Sequence, residues 1–165
     1  MQMFTPCLWF DNNAEEAVKF YTSIFKDSEI TGVTHYGQAG SEAAGKPKGT
    51  VMTIAFRLNG QEFLALNGGP IFKFNEAVSF IVNCQSQEEI EYYWENLSED
   101  GDKKAQQCGW LKDKFGLSWQ IVPTVLSEML QDKDSAKAER VMKAMLQMKK
   151  INIKILKQAY KQELH

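Results

Sequence analysis

The chain repeats itself once, and this repeat restricts the fold more than any other feature. Residues 4–10 read as a strand, and residues 13–25 carry apolar side chains at helical spacing. Residues 77–84 read as a second strand, and residues 86–97 as a second amphipathic helix. Shifting the first pair by 73 residues lays it on the second without a gap. Phe4 then meets Ala77, Asn13 meets Ser86, Glu15 and Glu16 meet Glu88 and Glu89, and Phe20 and Tyr21 meet Tyr93 and Trp94. Each helix opens on a capping-box pattern, Asn13 to Glu16 and Ser86 to Glu89. There a short side chain takes an orphan N–H and the glutamate reaches back.

Strands follow both helices. Residues 28–37 are rich in Thr, Val, Ile and Tyr, and residues 38–49, rich in Gly, Ser and Ala, read as a loop. Residues 50–58 put Met52, Ile54, Phe56 and Leu58 on one face. Asn59-Gly60 is a two-residue hairpin signal, because both positions tolerate positive φ. Residues 61–66 return as its partner, and Asn67-Gly68-Gly69-Pro70 ends the unit. In the second copy, residues 105–112 and 117–122 read as strands. The order is β-α-β-β-β twice, with the second copy shorter. We expect one α+β domain over residues 1–123, made of modules at about 1–70 and 75–123. Beyond Pro123, residues 124–130, 135–148 and 151–162 read as helices in an extension, 124–165, that packs on the domain or on a partner chain. Asp134 or Ser135 caps the middle helix, and Val141, Met142, Met145, Leu146 and Met148 form its apolar stripe. Such Met stripes are usually core or subunit contacts.

Composition narrows the function classes. At 44% hydrophobic and 24% charged residues the mix is ordinary for a globular domain, and 165 residues bury a core without staples. No apolar run approaches the roughly 18 residues of a membrane span, and no basic stretch precedes an apolar one at the start. The expectation is a cytoplasmic chain with no membrane partner. Cys7, Cys84 and Cys108 are odd in number, widely spaced and without a CxxC, which argues against disulfides and zinc ribbons. Residues 124–165 hold nine Lys or Arg against five Asp or Glu, within a net charge of −2. With no accompanying motif, that imbalance does not predict a nucleic-acid partner.

Residues 4–21, Phe-Thr-Pro-Cys-Leu-Trp-Phe-Asp-Asn-Asn-Ala-Glu-Glu-Ala-Val-Lys-Phe-Tyr, resemble the PhnB-like branch of the vicinal-oxygen-chelate superfamily. This superfamily includes glyoxalase and bleomycin-resistance proteins, and the branch is also labelled 3-demethylubiquinone-9 3-methyltransferase. Ala65-Leu-Asn-Gly-Gly-Pro70, Phe72-Lys-Phe74, Cys108-Gly-Trp-Leu-Lys-Asp-Lys-Phe-Gly116, Ser118-Trp-Gln-Ile-Val-Pro123 and residues 140–150 are similar to it too. The resemblance implies that each module curls into half of an incomplete barrel around a cavity, and that two chains pair as a homodimer.

In metal-using members of the superfamily, His, Gln or Glu ligands come from the first and fourth strands of each module. Carrying that pattern over places Phe4, Ala77, Ala65 and Gln120 at those positions. Only Gln120 has a donor, so no metal is expected. His35 falls on the second strand, off those positions, and His165 is terminal. The methyltransferase label finds no cofactor motif: the turn after Phe10 is Asp11-Asn12-Asn13, with no glycine-rich strand-to-helix turn. No cofactor is expected.

If Phe4 faces the cavity, alternation brings Pro6, Leu8 and Phe10 with it, and Cys7 and Trp9 face the helices. Phe63, Ala65, Asn67, Ala77, Ser79, Ile81, Asn83, Ser118 and Gln120 then also face inward. The candidate pocket is Phe4, Pro6, Leu8, Phe10, Phe63, Asn67, Ser79, Ile81, Cys108, Trp110, Ser118 and Gln120, suited to a small apolar or aromatic ligand. Equally, these side chains simply fill the interior. Cys108 has no neighbouring histidine to activate it, which favours a structural role. Three functions compete: a metal-free binding protein, an enzyme of the superfamily, and a regulatory or assembly partner acting through the C-terminal helices. Few titratable groups fall on the candidate face, which favours binding.

Overall fold

The computed structural model describes residues 2–162, and the chain divides into two compact units, Met1–Phe74 and Asn75–His165. Both are α+β, with a mixed sheet carrying one helix across one face.

In the first unit the order is β1 (Cys7–Phe10), α1 (Ala14–Ile24), β2 (Glu29–His35), α2 (Gln38–Ala44), β3 (Val51–Leu58) and β4 (Gln61–Asn67). The sheet runs β1-β4-β3-β2. β1 lies parallel to β4, with Leu8 opposite Ala65 and Phe10 opposite Asn67. The β3–β4 hairpin is antiparallel, with Ile54 opposite Ala65 and Phe56 opposite Phe63. Its tip is Asn59-Gly60, at φ 48° and 77°, as the turn chemistry requires. α1 buries Ala14, Ala17, Val18, Tyr21 and Ile24, one stripe at helical period. This stripe covers β3 and β4. Under it lie Leu8, Phe10, Ile54, Phe56, Leu58, Phe63 and Ala65, all buried.

The second unit is β5 (Ser79–Cys84), α3 (Gln87–Ser98), a 3-10 turn (Lys103–Ala105), β6 (Trp110–Lys112) and β7 (Ser118–Pro123). Three helices follow: α4 (Thr124–Leu130), α5 (Ser135–Leu146) and α6 (Ile153–Lys161). The sheet order β5-β7-β6 repeats β1-β4-β3 without a counterpart of β2. α3 buries Ile90, Trp94 and Leu97, and Leu111, Trp119, Ile121 and Cys84 are buried in the sheet. Leu126, Met129, Val141, Met148, Ile151 and Leu156 form one apolar cluster. Gln87 fastens this cluster to α3, donating to the Ile151 carbonyl at 3.1 Å and accepting the Ile153 N–H at 2.9 Å. Arg140 donates to the carbonyls of Ala159 and Tyr160 at 2.9 and 3.0 Å, satisfying the C-terminal end of α6.

Four local expectations change. Residues 38–44, read as loop, form the short helix α2, which buries none of its residues and ends on Gly45 at φ 64°. Its three alanines favour helix more than its one glycine opposes it. β1 begins only at Cys7, although the Pro6 carbonyl still accepts the Leu64 N–H at 2.9 Å. Pro6 lacks an N–H of its own, which ends regular pairing there. The strand expected over 105–112 is only β6. Before it, Cys108 and Gly109 turn sharply at φ 51° and 83°. Their N–H groups bond the carbonyls of Met148 and Lys149 at 2.8 and 2.7 Å, so contact with the C-terminal segment sets that turn.

The fourth change concerns capping. Ser86 accepts the Glu89 N–H at 3.2 Å, and Glu89 reaches back to the Gln85 N–H at 2.6 Å. Asn13, by contrast, makes no side-chain cap. The Ala14 N–H is taken by the Asn67 carboxamide oxygen from β4, at 2.9 Å, while the Asn67 amide donates to the Val51 carbonyl at 3.1 Å. Asn67→Ala would strand both groups, so we expect a loss of about 2 kcal/mol in urea unfolding. Asn67→Asp keeps an acceptor at the helix N-terminus and should lose less. Equal losses in the two variants would count against the cap.

Candidate ligand-binding site

Strand register decides which candidate residues come together. In the second unit Ser79 stands opposite Ser118 on β7, and Ile81 opposite Gln120. Across the other side of β7, Lys112 stands opposite Ser118 and Trp110 opposite Gln120. Two rows result, Ser79–Ser118–Lys112 and Ile81–Gln120–Trp110, on the face turned away from α3. Gln120 donates from Nε2 to Ser79 Oγ at 2.9 Å. The Lys112 ammonium bonds Glu76, and this bond holds the Glu76 carboxyl below its ordinary range. Ile81 is 54% exposed, and Trp110 is half-buried.

Ser118 is the unusual member. It is only 1% exposed, and its hydroxyl has no hydrogen-bond partner. A buried hydroxyl left unpaired costs roughly 1–3 kcal/mol. On the opposite face the buried Asp113 carboxylate is bonded at both oxygens. Asp113, 2% exposed, accepts the N–H groups of Phe115 and Leu117 and the Trp119 indole N–H at 2.9–3.0 Å. That is a turn-fixing carboxylate, whereas the Ser118 hydroxyl fixes nothing.

The first-unit candidates lie differently, and the expected facing is reversed there. Leu8, Phe10 and Phe63 are core residues beneath α1, and Asn67 is the helix cap. Phe4 lies outside β1 and is 78% exposed, and Pro6 is half-buried beside it. The face away from α1 carries Cys7, Trp9, Leu64 and Leu66. Trp9 is fixed edge-to-face on Phe72 at 4.9 Å, with its indole N–H on the Gly69 carbonyl at 2.9 Å. A Cβ at Gly68 would sit 2.3 Å from the Trp9 ring, so only glycine fits there.

The reversal has a simple cause. Three residues separate Phe10 from Ala14, but two separate Cys84 from Gln87. The helices are offset by 73 residues and the strands by 74, and one residue inverts strand parity. The signal was present in the apolar alternation of Ile54, Phe56 and Leu58, which marks the packed face directly. Cys108 sits in the turn before β6, where Gln107 Nε2 contacts its Sγ at 3.3 Å and the Leu146 carbonyl at 3.0 Å.

A divalent cation asks for three or four N, O or S donors. Phe4 and Ala77 lie outside the strands, and Ala65 is buried under α1. The alternative positions offer Cys7 in one unit, and in the other two neutral hydroxyls and a carboxamide whose N–H is already given to Ser79. Among the described residues no group of three or more His, Cys, Asp or Glu side chains is placed to hold a metal ion. These residues do not fit a divalent cation. No described helix is long and apolar enough to cross a membrane.

Comparison with known proteins agrees with this architecture. The model of the 3-demethylubiquinone-9 3-methyltransferase family matches residues 2–122. A PhnB protein from Bacillus cereus, whose name gives it as a candidate 3-demethylubiquinone-9 3-methyltransferase, is 37% identical with a TM-score of 0.63. That match covers 74% of this chain and 100% of the relative. A protein from Pseudomonas aeruginosa shares the fold at 19% identity and a TM-score of 0.57, covering 74% of this chain and 98% of the other. The fosfomycin resistance protein FosX of Listeria monocytogenes does so at 16% identity and 0.53, covering 79% and 98%. A search of curated proteins finds no match.

Two measurements test the site's chemistry. Ser118→Ala removes an unpaired buried hydroxyl, so we expect the variant to be as stable as the parent or more stable, by about 1 kcal/mol in urea unfolding. A loss of that size would mean the hydroxyl has a partner. Cys84 is fully buried, and burial, with Glu89 adding to it, pushes its thiol up to about 12. Its thiolate fraction at pH 8 is therefore on the order of 10⁻⁴. Mass-resolved alkylation of the native protein should leave Cys84 unmodified until urea unfolds the chain.

Proposed function

We propose that this chain, which belongs to the 3-demethylubiquinone-9 3-methyltransferase family, binds a small, partly aromatic molecule without a metal ion. The observation that carries the reading is the sealed, unpartnered Ser118 hydroxyl beside Ser79 and Gln120. Left empty, that arrangement costs stability; a ligand carbonyl or hydroxyl oxygen would satisfy it. Trp110 and Ile81 flank the polar row and supply apolar surface for a ring. The binding groups are hydroxyls, a carboxamide and an ammonium. They orient a polar tip and leave the ligand body to the apolar flank, the usual division in small-molecule sites.

An enzymatic reading stands second. The family's name describes methyl transfer to a demethylated ubiquinone, a substrate with a ring and oxygen substituents. The Ser79–Gln120 row could orient such a ring. A methyltransferase also needs a methyl donor, and neither first-strand-to-helix turn, Asp11-Asn12-Asn13 or Gln85-Ser86, contains glycine to approach one, while the Tyr36-Gly37 turn opens only the seven-residue α2. Pairing of two copies belongs to the same proposal. β2 is an edge strand exposed along its whole length, with Ile30 and Val33 among its exposed apolar residues. Such an edge invites a partner.

Native mass spectrometry of the purified protein, with elemental analysis of the same sample, tests the main reading. We expect no stoichiometric metal, and a retained or titratable small molecule whose affinity falls at least about tenfold in Ser118→Ala with Gln120→Leu. A bound cation at one per chain overturns it. Methyl transfer from S-adenosylmethionine to a demethylated quinol would replace binding with catalysis. Sedimentation equilibrium reads the pairing.

A further inference from the structure

A second site lies at the junction of α3 and α6, away from the Ser79–Gln120 row. Gln85, Ser86 and Gln87 at the start of α3 and Lys154, Lys157 and Lys161 on α6 line a cleft of about 510 Å³. That is ligand-sized. The lysines recur at intervals of three and four residues, so they share one stripe of the helix and span about 10 Å. Among the described residues no acidic side chain lines the cleft. The first-turn acids of α3 are Glu88 and Glu89, and Glu89 is turned back onto the Gln85 N–H.

Lys143 pairs with Glu139 one turn away, Lys150 with Glu91, and Lys112 with Glu76. Lys154, Lys157 and Lys161 make no ion pair among the described residues. Like charges at this spacing oppose helix formation, so the stripe has a local cost that a bound anion would reverse. Opposite it is the start of a 12-residue helix, where Ser86 takes the Glu89 N–H and Glu89 takes the Gln85 N–H, so the attraction for an anion falls on the lysines. Gln85 and Gln158 add carboxamides.

We propose that this cleft binds a small phosphorylated molecule carrying at least two phosphoryl groups. Two charges about 10 Å apart along α6 suit an extended polyanion better than a single phosphate. A cleft between two helices suits a free molecule better than a lipid surface. Among the described residues no aromatic side chain lines the cleft to stack a nucleobase, so recognition falls on the phosphates. α6 lies beyond residues 2–122, so the site is a property of this chain rather than of the matched family segment.

Inorganic tripolyphosphate is the probe. The full chain is titrated by calorimetry at low ionic strength, alongside a Lys154→Gln, Lys157→Gln, Lys161→Gln variant. A control variant, Lys19→Gln with Lys26→Gln, removes two exposed lysines of the first unit. We expect saturable one-to-one binding that weakens with salt, falls at least about tenfold in the triple variant, and is unchanged in the control. Amide NMR shifts should centre on the start of α3 and on α6. Absence of saturable binding, equal loss in both variants, or shifts centred elsewhere would overturn the site. Capture on phosphatidylglycerol vesicles without tripolyphosphate binding would also overturn it, in favour of a membrane surface.

Discussion

A strand shows alternate side chains to opposite surroundings, and in each unit a helix covers only one of the two sheet faces. Everything else follows from which residues fall under the helix. In the first unit these are Leu8, Phe10, Ile54, Phe56 and Phe63, and in the second Leu111, Trp119, Ile121 and Cys84. The parallel pairs β1–β4 and β5–β7 lock that choice, since a slip of one residue would carry the whole apolar set out of the core. The polar row Ser79–Ser118–Lys112 exists because Trp119 and its neighbours are committed to α3.

Much of this was legible in the residues. The repeat, both long helices, the Asn59-Gly60 hairpin and the three C-terminal helices follow from period and turn chemistry. The Ser86 cap also follows from its own sequence, because its partners lie within one turn. The Asn13 position carries the same pattern, yet Asn67 takes its role from 54 residues away in sequence. Only tertiary structure could decide that competition. The sharp turn at Cys108 has the same origin, since Met148 and Lys149 hold its amides.

The candidate site was half readable. Ser79, Ile81, Trp110, Ser118 and Gln120 do share a face, because their spacing within β5, β6 and β7 is set by simple alternation. Leu8, Phe10 and Phe63 do not join them, because a connection one residue shorter after β5 than after β1 reverses parity between the copies. Lys112 and Glu76 were missed, since nothing in their local sequence marks a pair 36 residues apart. The α6 lysines looked dispersed in a linear count, and the three-four spacing that gathers them matters only once the start of α3 lies opposite.

The turn at Cys108 and Gly109 also ties the two ends of the second unit together. Its two peptide N–H groups find acceptors only in the segment joining α5 to α6. A chain that stopped after β7 would hand both amides to water, and Gln87 would lose the carbonyl and amide it grips. The terminal helices are thus moored at the turn before β6 and at the entrance to α3. Because both moorings fall within residues 148–153, that one short segment joins the entry of β6 to the start of α3.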